Sequence, residues 1–181
     1  MLDIFTRDGL IAFLYTLPAL LISLSIHEYA HAWTAYKLGD DTAKNQGRLS
    51  LNPLDHLDPI GTLMLLVAGF GWGKPVEVNP RNYTRKMSME KGEAIVSAAG
   101  PLMNFITALI FALIYCAIIK FAGYSFILSN VGKIIIAIVA SVITMDVGLG
   151  VFNLIPLPPL DGSKIFLPIM PRNAKTFFVD N

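Results

Sequence analysis

Three long apolar runs constrain this chain more than any other feature, because each is long enough for a helix that crosses a bilayer. A hydrocarbon core about 30 Å thick needs about 20 helical residues. The runs cover residues 9–38, 94–121 and 134–155. The composition agrees, with 54% hydrophobic and 15% charged residues. The sequence therefore predicts an all-α polytopic membrane protein with three main transmembrane helices.

The segments between and after these runs predict shorter elements. Residues 61–72 and 163–171 are apolar but too short to cross a bilayer, so we expect re-entrant or interfacial segments there. In GWGKPVEVNP, Val76 and Val78 alternate with a glutamate among Gly, Pro and Asn residues, which predicts one strand of a small β-hairpin. We expect residues 1–181 to form a single core, with a broken segment at about 156–171.

The basic residues indicate an orientation in the cell membrane. The polar stretch 39–91 carries seven of them: Lys44, Arg48, Lys74, Arg81, Arg85, Lys86 and Lys91. The stretch 120–133 has only Lys120 and Lys133. The positive-inside rule therefore predicts a multi-pass protein with residues 39–91 in the cytoplasm. The formal net charge of +1 gives no basis for binding nucleic acid, and the single cysteine, Cys116, excludes a disulfide framework.

The first apolar run contains the segment HEYAH, with His27, Glu28 and His31. Two histidines four residues apart lie on the same face of a helix, where both can bind one metal ion. In the H-E-x-x-H pattern the glutamate is not a ligand but acts as a general base. A chance match is the alternative, but an ionisable group inside a membrane costs about 2.5–3.5 kcal/mol on insertion scales. A bound cation would compensate for this cost.

A catalytic zinc ion takes three protein ligands, so a third must come from elsewhere in the chain. The candidate is Asp161, which follows a proline-rich stretch that must end the third helix. Counted at about 1.5 Å per residue, His27 and Asp161 both lie towards the cytoplasmic ends of their spans. The alternative for Asp161 is an ordinary Asp-Gly turn. The remaining histidine, His56, is interpreted mainly as a polar loop residue, and the alternative is that it contacts the site.

The chain resembles the site-2 proteases, which are intramembrane zinc metalloproteases, and in particular the compact bacterial type without a PDZ domain. Five segments carry the resemblance in order: HEYAH, NPLDHLDPIGTL, GWGKPVEVNP, AAGPLMN and FNLIPLPPLDG. The resemblance implies one zinc ion per chain on His27, His31 and Asp161, and Glu28 as the general base. It also implies a site lined by Gly100, Pro101, Asn104 and Asn153.

Small and polar residues form two stripes at helical spacing. They are Ser97, Gly100, Asn104 and Thr107 in one helix, and Asp146, Gly150 and Asn153 in the other. Such stripes allow helices to pack closely in a membrane. The amides of Asn104 and Asn153 are also candidates for stabilising an oxyanion or orienting a substrate.

The chain departs from the family in two places. Asp146 stands where the family usually has a neutral Asn. The compact members also usually continue into a further apolar span after the Asp-Gly motif, so we expect the sequence to be shortened at its C-terminus.

These observations favour an enzyme that hydrolyses peptide bonds in or beside the transmembrane segments of membrane-protein substrates in the lipid bilayer. A strand at Val76 and Val78 would offer backbone amides to an unwound substrate. The alternative is a metal-binding membrane scaffold or a transporter component without catalysis. Glu28 discriminates between them, because hydrolysis requires it and metal binding alone does not. The sequence specifies neither the substrate nor the oligomeric state.

Overall fold

The computed structural model describes residues 6–68, 71–84 and 87–171, and most of these residues are helical. The α-helices, numbered along the chain, are α1 (Arg7–Lys37), α2 (Thr42–Asn45), α3 (Pro59–Ala68), α4 (Met89–Phe121), α5 (Tyr124–Leu128), α6 (Asn130–Asn153) and α7 (Asp161–Ile165). Single 3₁₀ turns cover Pro53–Asp55, Pro80–Asn82 and Leu167–Ile169.

Helices α1, α4 and α6 are long and apolar enough to cross a membrane, as the sequence predicts. They contain 31, 33 and 24 residues, which is about 46, 50 and 36 Å at ~1.5 Å per residue. Helices α4 and α6 begin several residues before the apolar runs, because serine side chains cap their first turns. Ser88 accepts a hydrogen bond from the Lys91 amide, and Ser129 accepts one from the Gly132 amide. The chain is a membrane protein.

The three long helices pack against one another in every pairing. Their contact faces carry small and polar residues, whereas large apolar side chains such as Leu102, Leu109 and Leu113 are exposed on the outside of α4. Gly150 allows α6 to approach α4, because a Cβ there would lie 2.9 Å from the Phe105 ring. An apolar exterior around a polar interior is the arrangement that a lipid environment favours.

The small β-hairpin predicted around GWGKPVEVNP is wrong. The described residues contain a single antiparallel bridge, between Leu57 and Gly73, and no sheet. The Lys74 amide bonds to the His56 carbonyl at 2.9 Å, but Pro75 has no amide hydrogen, and two later amides bond to side chains. Val76 N–H donates to Glu28, and Asn79 N–H donates to Asp40. Side chains of helix α1 and the turn after it therefore replace the partner strand.

The short apolar segments form short helices that cannot cross a bilayer by themselves. Helix α3 has ten residues and exposes Ile60, Leu63 and Val67. The segment 163–171 forms the end of α7 and the 3₁₀ turn Leu167–Ile169. The C-terminal stretch 172–181 lies outside the described residues.

Candidate active site

The two histidines of HEYAH lie one turn apart on the buried face of α1. His27 is 6% exposed and His31 is 8% exposed. Their Nε2 atoms are 3.0 Å apart, and the two rings are nearly perpendicular. The helix therefore directs both nitrogens to one point, as the four-residue spacing predicts.

Asp161 reaches the same point from the other end of the chain. Helix α6 ends at Asn153, and prolines at 156, 158 and 159 prevent it from continuing before α7 begins at Asp161. Gly162 allows α7 to turn back, because a Cβ at this position would overlap the carbonyl oxygens of Leu154 and Ile155. Asp161 Oδ2 lies 3.2 Å from His27 Nε2 and 3.3 Å from His31 Nε2.

The hydrogen bonds of the two Nδ1 atoms determine which nitrogen of each histidine ring carries the proton. His27 Nδ1 is 2.6 Å from Asn104 Oδ1, and His31 Nδ1 is 2.8 Å from the Val96 carbonyl oxygen. Both oxygens accept hydrogen bonds, so each Nδ1 carries the proton and donates it. In the neutral ring the lone pair is then on Nε2, which is the atom that faces Asp161.

Three unprotonated atoms with lone pairs therefore face one another: His27 Nε2, His31 Nε2 and Asp161 Oδ2. All three ligand atoms lie within 4.8 Å of one another. Asp161 Oδ2 is buried and has no hydrogen-bond partner among the described residues, which costs free energy unless a cation compensates. Two imidazole nitrogens and a carboxylate are a typical ligand set for catalytic zinc, with an acceptor bonded to the far nitrogen of each histidine. The residues thus fit a zinc ion.

Gly100 of α4 packs directly against this cluster. A Cβ at this position would overlap His31 Nε2 and lie 2.6 Å from His27 Cε1. Only glycine allows the α4 backbone to approach the two rings this closely. Its neighbour Pro101 is buried inside the same helix.

Glu28 lies beside the cluster but outside it. Its Oε2 accepts a hydrogen bond from the Val76 amide at 2.9 Å. The side chain lines a cavity of about 200 Å³ together with His27, His31 and Asp161. A carboxylate in this position can exchange a proton with a water molecule beside the three donors.

The other predicted site residues fall into two groups. Val76, Val78 and Asn153 line the cavity, and Asn153 Nδ2 donates to the Leu149 carbonyl of its own helix at 3.0 Å. Asn104 is fully buried behind His27, and both of its amide hydrogens are used: they bond to the Ser23 carbonyl and to Asp146.

Three buried polar residues outside the cluster form hydrogen bonds that stabilise the fold. His56 is fully buried, with Nε2 2.7 Å from the Ser50 carbonyl oxygen. The Asp40 carboxylate and the Arg48 guanidinium also bind the polar segment between α1 and α4. Nothing in the local sequence pattern around Asp40 or Arg48 distinguishes these residues from surface charges.

A second cavity, of about 250 Å³, adjoins the first at His27, Glu28 and Asn153. Its other walls are mostly apolar and come from α1, α3, α6, the residue Leu57 before α3 and the extended segment 71–79. They are Leu20, Leu24, Leu57, Gly61, Thr62, Gly71, Trp72, Gly73, Leu149 and Phe152. The polar site therefore opens on one side to an apolar space.

Comparison with known proteins gives relatives of one kind. The chain is 42% identical over 161 residues to "Putative zinc metalloprotease YwhC" of Bacillus subtilis, covering 89% of this chain and 71% of the relative. It is 31% identical to "Putative zinc metalloprotease Rip2" of Mycolicibacterium smegmatis, covering 83% of this chain and 55% of that protein. The Rip2 protein of Mycobacterium tuberculosis H37Rv is 29% identical and covered over 57% of its length. The chain thus spans little more than half of the Rip2 proteins.

No family model matches the chain, and no solved structure matches it significantly. The identity to YwhC over most of both chains is sufficient to assign the family. This chain belongs to the site-2 protease family.

Proposed function

We propose that the chain is a zinc-dependent intramembrane endopeptidase that cleaves the transmembrane segments of membrane proteins. One observation carries the proposal: His27, His31 and Asp161 converge on one point between helices of membrane-crossing length, with Glu28 in the same cavity. The names of the relatives support a metalloprotease.

In this proposal, one zinc ion per chain is held by His27 Nε2, His31 Nε2 and Asp161 Oδ2. When bound, zinc supplies Lewis-acid chemistry, which polarises a carbonyl group and makes water more acidic. Glu28 accepts a proton from the attacking water and later delivers it to the leaving amine. Asn153 uses one amide hydrogen in its bond to Leu149, and we assign the other to the substrate carbonyl.

We assign the polar segment 39–91 to the cytoplasmic side of a multi-pass protein, so that the site opens to the cytoplasm. The basic residues support this orientation. After replacement of Cys116 by Ala, a cysteine at Lys44 should react with an impermeant reagent only in permeabilised cells, whereas one at Lys133 should react in intact cells. The reverse result would assign the site to the outer side.

The extended segment at Val76 and Val78 is proposed to bind the unwound substrate through backbone hydrogen bonds. Val76 N–H already donates to Glu28, and Val78 packs against the buried cluster of Ala35, Tyr83 and Val96. Replacing Val76 or Val78 by Pro should weaken cleavage while zinc stays bound. Val76→Pro should have the larger effect on kcat, because it alone removes the Glu28 contact. Unchanged cleavage in both variants would contradict the binding role.

The apolar cavity is proposed to accept an apolar substrate side chain next to the cleaved bond, because it adjoins His27 and Glu28. Leu149→Phe should fill this space and shift cleavage from substrates with large side chains to those with small ones. The measurement is kcat/KM for transmembrane peptides that differ only at the residues flanking the cleavage site. An unchanged preference would contradict the assignment.

The decisive experiment separates metal binding from catalysis in purified, detergent-solubilised protein. Glu28→Gln leaves the ligands in place, so it should keep about one zinc per chain while cleavage of a transmembrane peptide falls about 10²–10⁴-fold. Asp161→Ala leaves two ligands and should lose zinc and activity together. Zinc is measured by elemental analysis and cleavage by mass spectrometry of the products.

Glu77→Gln is the matched control, because Glu77 is exposed and bonds to Gln46 rather than to the site. It should behave as the parent protein. If Glu28→Gln cleaved as fast as the parent, the enzyme proposal would fail. A zinc-loaded parent that cleaves no transmembrane peptide would support the metal-binding scaffold or transporter component instead.

A further inference from the structure

Asp146 is a buried carboxylate in the middle of a membrane-crossing helix, and the proposed reaction does not use it. It is 0% exposed. Ionisable groups at such positions are expensive and generally have a functional partner. Its oxygens are both bonded: Oδ1 accepts from Asn104 Nδ2 at 2.5 Å, and Oδ2 accepts from Ser23 Oγ at 2.8 Å.

Asn104 connects Asp146 to the metal-ligand cluster. Its Nδ2 donates to Asp146 and to the Ser23 carbonyl at 3.2 Å, and its Oδ1 accepts from His27 Nδ1 at 2.6 Å. The orientation of an amide follows from its partners. Two acceptors on the nitrogen side require Oδ1 to face His27, since a flipped amide would place its oxygen against the Ser23 carbonyl and the Asp146 carboxylate.

The orientation of this amide controls which nitrogen of His27 carries the proton. With Oδ1 facing the ring, the proton is on Nδ1 and the lone pair is on Nε2, towards His31 and Asp161. The same bond fixes the rotation of the ring. Asp146 does not belong to the metal-ligand cluster formed by the described residues, and the hydrogen bonds that connect its Oδ1 to His27 run through Asn104.

We propose that Asp146 is a positioning residue of the metal centre, holding Asn104 so that His27 presents Nε2 to the zinc ion. This inference rests on the proposed function. Ser23 assists by anchoring the other carboxylate oxygen, and it lies one turn before His27 on the same face of α1. The four residues form one buried chain of hydrogen bonds across α1, α4 and α6.

The test is zinc affinity, measured by competition with a chromogenic chelator in the purified, detergent-solubilised protein. Asp146→Leu removes the acceptor for Asn104 and should weaken zinc binding about 10-fold or more, within the range of about 10–100-fold for outer-shell residues. Asp146→Asn retains an oxygen acceptor and should stay within about 3-fold of the parent. The control is Thr144→Val on the same helix, whose hydroxyl donates to the Ala140 carbonyl of its own helix.

A double-mutant comparison separates positioning through Asn104 from a general packing role. If the effect passes through Asn104, the double variant Asn104→Leu with Asp146→Leu should bind zinc no more weakly than Asn104→Leu alone. Additive losses would overturn the inference. So would parent affinity in Asp146→Leu.

Exchanging the side chains of residues 104 and 146 provides a test that looks for recovered zinc affinity rather than for its loss. Asn104→Asp alone places two carboxylates against each other, and adding Asp146→Asn restores a donor between them. The exchanged pair should bind zinc at least several-fold more tightly than Asn104→Asp alone, and no recovery would overturn the inference. A parent protein that holds no zinc would overturn the proposed function and this inference together, whereas a zinc-loaded parent confines any failure to Asp146.

Discussion

The metal-ligand cluster and the polar segment between α1 and α4 are stabilised in opposite ways. Behind the cluster, side chains of different helices bond to one another: Asp146 to Asn104 and Ser23, and Asn104 to His27. In the polar segment, buried charged side chains bond mainly to the backbone. Asp40 accepts from the amides of Thr42 and Asn79, and the Arg48 guanidinium donates to the carbonyls of Asp55 and Lys74.

The difference follows from the secondary structure. A long helix satisfies its own backbone groups, so polar side chains on its buried face are free to bind one another. An irregular segment leaves amides and carbonyls that need other partners. A few buried charges provide them here, and they hold the extended segment 71–79 next to the site.

The largest expected effect is on zinc binding, at the point where the α4 backbone lies against the two histidine rings. Gly100→Ala should abolish zinc binding, because the added Cβ overlaps His31 Nε2 and displaces both rings. Gly148→Ala on α6 is the control, since a Cβ there meets no described residue within 4 Å and should leave zinc bound. Elemental analysis of both purified variants is the measurement. Stoichiometric zinc in Gly100→Ala would contradict the conclusion that only glycine fits between α4 and the two histidine rings.

The next prediction concerns the polar segment. Arg48 is 4% exposed, and Arg48→Leu would leave the carbonyls of Asp55 and Lys74 without their donor. Hydrogen bonds to charged groups are worth about 1.5–3 kcal/mol each, so the segment should loosen while the helices remain packed. Hydrogen exchange at residues 71–79 should accelerate with little change in α4. Equal acceleration of exchange in residues 71–79 and in α4 would show that Arg48 does not stabilise the polar segment separately from the helices.

Asp40 gives the polar segment a dependence on pH. Burial raises the pKa of this carboxyl, but hydrogen bonds from Asn79, Thr42 and Asn82 outweigh it and hold the pKa below its ordinary value of 3.8. A lowered folded-state pKa contributes stability that is complete above the ordinary value and is lost as pH falls through the folded value. The parent should therefore lose protection of residues 71–79 below about pH 4.

Asp40→Asn should remove most of this acid sensitivity and weaken the segment at neutral pH by about 1–3 kcal/mol. The control is Asp41→Asn, because Asp41 is exposed and forms a surface ion pair with Lys44, 3.6 Å away. An acid transition that persists unchanged in Asp40→Asn would assign it to another group.

The smallest expected effect is at the ion pair that joins α7 to α4. Lys164 Nζ lies 3.5 Å from Glu93 Oε1, with side-chain exposures of 47% and 25%. Such a partly exposed pair is screened by solvent and worth about 0.5 kcal/mol or less. Lys164→Met should change zinc affinity less than 3-fold. A large loss would show that the pair, and not the turn at Gly162, holds Asp161 in place.

The sequence predicts whatever depends on local pattern. Apolar length identifies the three long helices, and the spacing of His27 and His31 predicts that they face one point. The prolines before Asp161 predict the end of α6 and a freed carboxylate near the histidines.

The remainder depends on contacts between residues far apart in the chain. The Val-Glu-Val alternation predicts a hairpin, but the amides of Val76 and Asn79 bond to Glu28 and Asp40, 48 and 39 residues away. A local pattern contains no information about such bonds. The same is true of Asn104, whose orientation depends on acceptors from α1 and α6.

The position of Asp161 has a consequence for the order of synthesis. The histidines are on α1, whereas the carboxylate that faces them follows α6 in the chain. Chains are made from the N-terminus, so a nascent protein carries both histidines into the membrane long before their third partner exists. The cluster can close only after α6 is in place and α7 has folded back onto it. In the proposed enzyme, an incompletely translated or incompletely inserted chain would therefore have no proteolytic activity towards the membrane proteins around it.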